Sequence, residues 1–214
     1  EKILEKFKIY NRRYLGSKYK LLEFIEKIVQ ENTKNCKIFL DLFAGTGVVA
    51  DYFNKKYDVV LNDLLKCNYF SYECFFSNLE YDEKKLIEIM KKYNEKVVED
   101  NNYYSENFKD TYLSEKNLKK VGFIRDDIDD LFEKKEINKR EKAILITSLI
   151  YAVDRIANTV GHYDAYRKNG DLEKELILKI PQIENDNNKN NKIFCMDANE
   201  LVKKFKADIV YIDP

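Results

Sequence analysis

The stretch Lys37-Ile-Phe-Leu-Asp-Leu-Phe-Ala-Gly-Thr-Gly-Val-Val-Ala50 decides the fold class of this chain. Ile38–Leu40 reads as a short apolar strand, Ala44–Gly47 as a small-residue turn, and Val48 as the opening of a helix. That order builds the first βα unit of a doubly wound α/β sheet, where backbone N–H groups and a helix N-terminus face a ligand. Gly45, Gly47 and Ala50 fit the G-x-G-x-x-G/A dinucleotide fingerprint, and Asp63 follows at about the 20-residue distance that fingerprint asks for. The glycines alone leave two nucleoside cofactors open. Asp41 separates them. A carboxylate at the strand end, just ahead of the turn, repels a pyrophosphate and suits a cationic ligand. S-adenosylmethionine, with an ammonium and a sulfonium, is such a ligand.

Working outward, the 214 residues suffice for one α/β domain, or one domain with an insertion. Hydrophobic residues make up 44% and charged residues 36%, an ordinary globular balance rather than a disordered one. Lys+Arg and Asp+Glu both number 38, so any basic surface for nucleic acid must be local. One candidate is Lys6–Leu22, which holds Arg12, Arg13, Lys18 and three further lysines but no acid; its plainer reading is a solvated N-terminal arm. The four cysteines lack metal or disulfide spacing, as expected of idle thiols in a reducing cytoplasm. No apolar run reaches membrane-spanning length and the start lacks a secretory core, so a cytoplasmic protein without membrane or metal is expected.

In chain order, residues 19–31 read as an amphipathic helix, preceded by Tyr14-Leu-Gly-Ser-Lys18. Asp58–Asp63 forms a second strand, whose terminal acid is placed to accept hydrogen bonds from ribose hydroxyls. Helices are expected over Leu64–Leu79 and Asp82–Asp100. A break follows at Asn101–Asn107, then short helical pieces at Ser114–Lys120 and Asp126–Lys135, then a long helix over Lys139–Ala157. About 110 residues separate the second strand's helix from the next good strand, far more than the single helix a doubly wound sheet uses. The excess reads as a mostly helical insertion (80–190) between the two parts of a catalytic domain (1–79 and 191–214). Such insertions commonly carry substrate recognition. Within it, His162, Tyr163, Tyr166, Arg167 and Lys168 interleave aromatics with cations, which suits phosphates and unstacked bases. Glu184–Asn191 is expected to be a flexible Asn-rich loop. Lys192–Met196 and Ala207–Asp213 read as strands around a short helix at Glu200–Lys204.

Together these motifs resemble the Dam-like DNA adenine-N6 methyltransferases, including methylases of restriction–modification systems, over nearly the whole chain. Tyr14-Leu-Gly-Ser-Lys18 resembles that family's N-terminal cofactor motif, and Asp41-Leu-Phe-Ala-Gly-Thr-Gly47 its more specific D-x-F-x-G-x-G motif. The resemblance implies a Rossmann-like methyltransferase sheet binding S-adenosylmethionine. Tyr14, Gly16, Lys18, Asp41, Phe43, Ala44, Gly45 and Gly47 would line that site, with Asp63 on the ribose and Asp197 and Ala198 at the adenine. Asp208-Ile-Val-Tyr-Ile-Asp213-Pro214 matches the approach to the catalytic D-P-P-Y, so Asp213 and Pro214 would hold the target amine. Gly161-His-Tyr-Asp-Ala-Tyr-Arg167 is similar to a segment that some of these methylases carry before that motif. Double-stranded DNA is the implied substrate, with Arg12, Arg13, His162, Tyr163, Tyr166, Arg167 and Lys168 as DNA contacts, and a cognate restriction endonuclease the implied partner.

Only the first two residues of D-P-P-Y are present, and the strands that normally follow it are absent. The expectation is a partial sheet of about four strands: a fragment, or a subunit completed by another chain. Two rivals stay open at this point. An NAD-dependent oxidoreductase explains the glycines and Asp63 but not Asp41 or Asp213-Pro214. A non-catalytic DNA- or SAM-binding subunit would bind without transferring a methyl group.

Overall fold

The computed structural model describes residues 4–13, 18–109, 111–159, 170–184 and 187–214. In chain order its elements are β1 (Lys6–Phe7), α1 (Leu22–Asn32), β2 (Ile38–Asp41), α2 (Val48–Phe53), β3 (Asp58–Asn62), α3 (Lys66–Phe76), α4 (Glu83–Glu95), α5 (Tyr103–Phe108), α6 (Glu115–Glu133), α7 (Lys139–Ile156), β4 (Ile180–Pro181), β5 (Lys192–Phe194), α8 (Ala198–Lys204) and β6 (Ile209–Tyr211). They fall into two compact units. One comprises Lys8–Tyr10, Gly16–Glu80 and Ile183–Pro214; the other comprises Glu1–Phe7, Asn11–Leu15 and Tyr81–Gln182.

The first unit holds a four-stranded parallel sheet in the order β5-β3-β2-β6. Counted along the chain, that is third, second, first, fourth, the order of the first half of a doubly wound fold. The order reverses between β2 and β6, so a crevice opens at their carboxyl ends. Parallel strands are covered on both faces, and here the side-chain alternation of β2 supplies both layers. Phe39 stacks on Phe53 of α2 at 4.3 Å and faces Tyr57. Leu40, on the opposite face, clusters with Leu42, Val60 and Leu201 under Phe194, Met196 and Phe205. At the amino ends, Asp208 Oδ2 accepts from the Lys37 and Ile38 N–H groups at 2.8 and 2.9 Å, which aligns β6 with β2.

Residues 187–191 of the Asn-rich tract, expected to be a flexible loop, are bound into the first unit by side-chain hydrogen bonds. Asn188 is 3% exposed and donates to the carbonyls of Phe75 and Ser77 at the end of α3, while accepting from Asn54. Asn187 donates to the Asn54 and Tyr57 carbonyls, and Asn191 accepts from the Val59 N–H beside the sheet. A primary amide carries both donors and an acceptor, so it can satisfy loop backbone that has no strand or helix partner. Composition alone does not reveal that use.

The second unit packs α4, α6 and α7 around Leu86, Met90, Ile124, Ile128, Ile144 and Leu145, all fully buried. The parallel pair β1–β4 adds a short edge. α7 begins in a capping box, with Asn138 accepting from the Glu141 N–H and Glu141 accepting from the Asn138 N–H. Two sequence expectations are corrected here. The stretch Asn101–Asn107 contains α5, opened by an Asn102–Ser105 capping box rather than a break. The two pieces expected around Gly122 form one helix, α6. Gly122 is there for packing: a Cβ on it would lie 2.3 Å from the Asn102 side chain, which donates to the Lys119 carbonyl. Among the described residues no helix is long and apolar enough to cross a membrane.

Candidate active site

The site forms where β2, β3, β5 and β6 end together. Asp41 closes β2, and the turn after it is tied to both neighbouring strands: Leu42 N–H donates to the Tyr211 carbonyl (3.1 Å) and Ala44 N–H to that of Asn62 (2.9 Å). Gly45 (φ +52°) and Gly47 (φ +81°) then carry the backbone through left-handed conformations into α2. A Cβ on Gly47 would also press on Ile9 and Phe76, each at 3.3 Å. The glycines therefore serve backbone direction and close packing together.

Two N–H groups of this turn, those of its glycines, are already engaged. Gly47 N–H donates to Ala44 O (2.7 Å), and Gly45 N–H donates to Asp63 Oδ2 (3.1 Å). A dinucleotide pyrophosphate would need those donors and would meet a carboxylate instead, which counts against the oxidoreductase reading. Asp63 also accepts from Asn68 Nδ2 (2.9 Å) and, through Oδ1, from the Leu65 N–H (2.9 Å). The Tyr72 hydroxyl donates to the Gly45 carbonyl at 2.6 Å. Asp63 thus acts as a clamp on the turn, and its Oδ1 side carries the lighter hydrogen-bond load.

Asp41 is 1% exposed, and its Oδ1 has no hydrogen-bond partner. Burial first, then the nearby Asp213 and Asp63 carboxylates, push its carboxyl up to about 8. A buried acceptor facing like charges awaits a cation or a donor. Asp213, just beyond β6, pairs through Oδ2 with Lys18 Nζ at 2.8 Å, both side chains about one-third exposed. The Tyr211 hydroxyl lies 3.5 Å from the same oxygen; burial and then the Asp213 and Asp41 carboxylates raise it to about 12. The strand ends also present Phe43, Leu64, Leu65 and Ile212 as exposed apolar side chains. An acidic floor within an apolar rim fits a ligand with a cationic end and a flat nucleoside end. The residues present therefore fit S-adenosylmethionine.

The structure brings Lys18, Asp41, Phe43, Ala44, Gly45, Gly47, Asp63 and Asp213 to this edge of one unit, with Pro214 exposed beyond them. Asp197 sits at the end of the β5 limb, and its Oδ1 caps α8 by accepting from the Asn199 and Glu200 N–H groups; Ala198 opens that helix. Tyr14 and Gly16 lie outside the described residues, as do His162, Tyr163, Tyr166, Arg167 and Lys168. Arg12 Nε donates to Asp154 Oδ2 of α7 at 3.0 Å, with side-chain exposures of 13% and 9%, an ion pair within the helical unit that the sequence did not show. Arg13 is exposed.

Sequence reasoning missed Asn62 and Tyr72. Asn62 is buried and stitches three strand ends, donating to the Leu42 and Met196 carbonyls and accepting from the Met196 N–H. An Asn ending an otherwise apolar strand was the available signal. Tyr72 lies on the aromatic helix, with nothing local to single it out.

The family model for the D12 class N6 adenine-specific DNA methyltransferase matches residues 14–214. Among curated proteins, the chain is 40% identical to a modification methylase, StsI, of Streptococcus sanguinis over 94% of this chain and 33% of the relative. It is 35% identical to modification methylase LlaI of Lactococcus lactis subsp. lactis, over 94% and 35% of the two chains. It is 34% identical to the type II methyltransferase M.FokI of Planomicrobium okeanokoites, over 94% and 34%. The chain spans about a third of the length of these three relatives. With the family match running through every strand end that builds the site, the chain belongs to the D12 class of N6 adenine-specific DNA methyltransferases.

Proposed function

We propose that the protein methylates the N6 amine of adenine in double-stranded DNA with S-adenosylmethionine, as the modification arm of a cytoplasmic restriction–modification pair with a cognate endonuclease. The observation that carries this reading is the acid set at the sheet's switch point: buried Asp41 with its unpartnered oxygen, and Asp213 held by Lys18. Bound S-adenosylmethionine supplies an electrophilic methyl group. Asp41 would receive its cationic end, Asp63 the ribose, and the Asp197–Ala198 corner with Leu64 and Leu65 the adenine.

The target amine is a poor nucleophile because its lone pair is delocalised into the ring. Asp213 and the Pro214 carbonyl would each accept one of its two N–H hydrogens, favouring a pyramidal nitrogen with an available lone pair. Lys18 occupies Asp213 Oδ2, which leaves Oδ1 as the acceptor and fixes the carboxylate plane. The rate gain is positional and electrostatic, without a strong general base. The proton lost as the amine becomes secondary leaves through the partly exposed carboxylate. The base must leave the duplex to reach this edge, and the helical unit, which carries Tyr163, Tyr166, Arg167 and Lys168, would engage the DNA.

The test is Asp213→Ala in the full-length protein. Calorimetric binding of S-adenosylmethionine should be nearly unchanged, while transfer of labelled methyl groups to unmethylated DNA disappears. Transfer at near-normal rate would sink the role given to Asp213.

A further inference from the structure

Within the helical unit, residues 170–179 lead into β4 without helix or strand assignment, and among the described residues no strand lies beside them. Leu176, Leu178 and Ile180 point inward and are 0–2% exposed, an alternation of period two that went unread in the sequence. Backbone that packs inward without a sheet must still be satisfied, and here helix side chains do it. Asn117 of α6 donates to the Lys174 carbonyl (2.7 Å) and accepts from the Leu176 N–H (3.2 Å). Arg155 of α7 donates to the Ile177 carbonyl (2.7 Å). Asn94 of α4 takes both groups of Leu178, donating to its carbonyl (2.9 Å) and accepting from its N–H (2.7 Å). Buried Lys120 in turn donates to the Asn94 carbonyl at 2.8 Å, at the end of α4.

Apolar alternation cannot choose between registers two residues apart, and backbone groups repeat with the same period. Gly170 can. It lies against the Asn158 side chain, where any Cβ would stand 1.9 Å from Oδ1. Asn158 is itself buried, and its N–H donates to the Tyr112 carbonyl at 2.8 Å. So the limb has a stop at Gly170 and a rail made by Asn117 and Asn94.

We propose that Gly170, Asn117 and Asn94 are positioning residues for DNA recognition: stop and rail fix the register of the limb that emerges directly after Tyr163, Tyr166, Arg167 and Lys168. The inference rests on the reading that those four residues contact DNA. A two-residue slip of extended chain would displace the limb's start by roughly 6–7 Å, beyond the reach of one hydrogen bond.

The experiment compares Gly170→Ala, Asn117→Ala, Asn117→Asp and Arg167→Ala in the full-length protein, with unmethylated bulk DNA as substrate. Gly170→Ala and Asn117→Ala should each raise KM for DNA about tenfold, the equivalent of about 1.4 kcal/mol, with kcat and S-adenosylmethionine affinity held. Asn117→Asp, which keeps the acceptor for Leu176 but loses the donor to Lys174, should fall between. In the unaltered protein the Leu176 and Leu178 amides should exchange slowly with deuterium. Fast exchange at both amides overturns the rail. So does an unchanged KM in Gly170→Ala and Asn117→Ala while Arg167→Ala raises it. An unchanged KM in Arg167→Ala overturns the DNA contact itself, and the positioning role with it.

Discussion

Asp41→Asn is the most informative single change. The folded protein holds the Asp41 carboxyl at about 8, against an ordinary 3.8. Because the folded value is the higher one, the unfolded chain gives up this proton first as pH rises. Stability is whole below about 4 and declines across the window from 4 to 8. At about 1.4 kcal/mol per pH unit, the penalty at pH 7 is about 4 kcal/mol. An amide does not titrate, and its oxygen can still accept the Ala50 N–H that the carboxylate now accepts. Urea unfolding from pH 5 to 8, without ligand, should therefore show the wild type losing about 4 kcal/mol relative to the Asp41→Asn variant. S-adenosylmethionine binding should behave oppositely. In the wild type its affinity should climb with pH by up to about tenfold per unit until about pH 8, as Asp41 releases its proton to meet a cation, and in the variant it should be weak and flat. Parallel stability curves for the two proteins would refute the claim that Asp41 is held as a buried, like-charged acid awaiting a cation.

Three further outcomes follow from packing. Asn188→Ala removes the donor to the Phe75 and Ser77 carbonyls and the acceptor for the Asn54 amide, and should cost about 2–3 kcal/mol by denaturant titration. Gly47→Ala, at φ +81°, should cost about 1–2 kcal/mol and weaken S-adenosylmethionine binding in calorimetry, since the turn must shift. Arg12→Ala removes the guanidinium 3.0 Å from the Asp154 carboxylate and should cost about 3 kcal/mol in denaturant titration.

The strands and helices of the sheet unit were legible in the sequence to within three residues at their ends. Strand, glycine turn and helix are local signals, so β2, the following turn, α2 and β3 follow from alternation, glycine placement and the acids at strand ends. The long α7 is legible for the same reason, since its apolar period and capping residues are contiguous. Where side chains spend their hydrogen bonds is settled only once the chain has folded. Lys18, placed by its motif among the cofactor residues, pairs with Asp213, 195 positions away in the chain. Asn188, Asn94 and Asn117 look like solvated loop or helix-surface residues in the sequence, yet each binds backbone groups of a distant segment. The sequence divides α6 into two pieces, Ser114–Lys120 and Asp126–Lys135, whereas the helix runs unbroken with Gly122 packed against Asn102. Periodicity reports which face of an element is buried. It says nothing about which distant donor an amide or carboxylate will meet, because that depends on the chain returning to it.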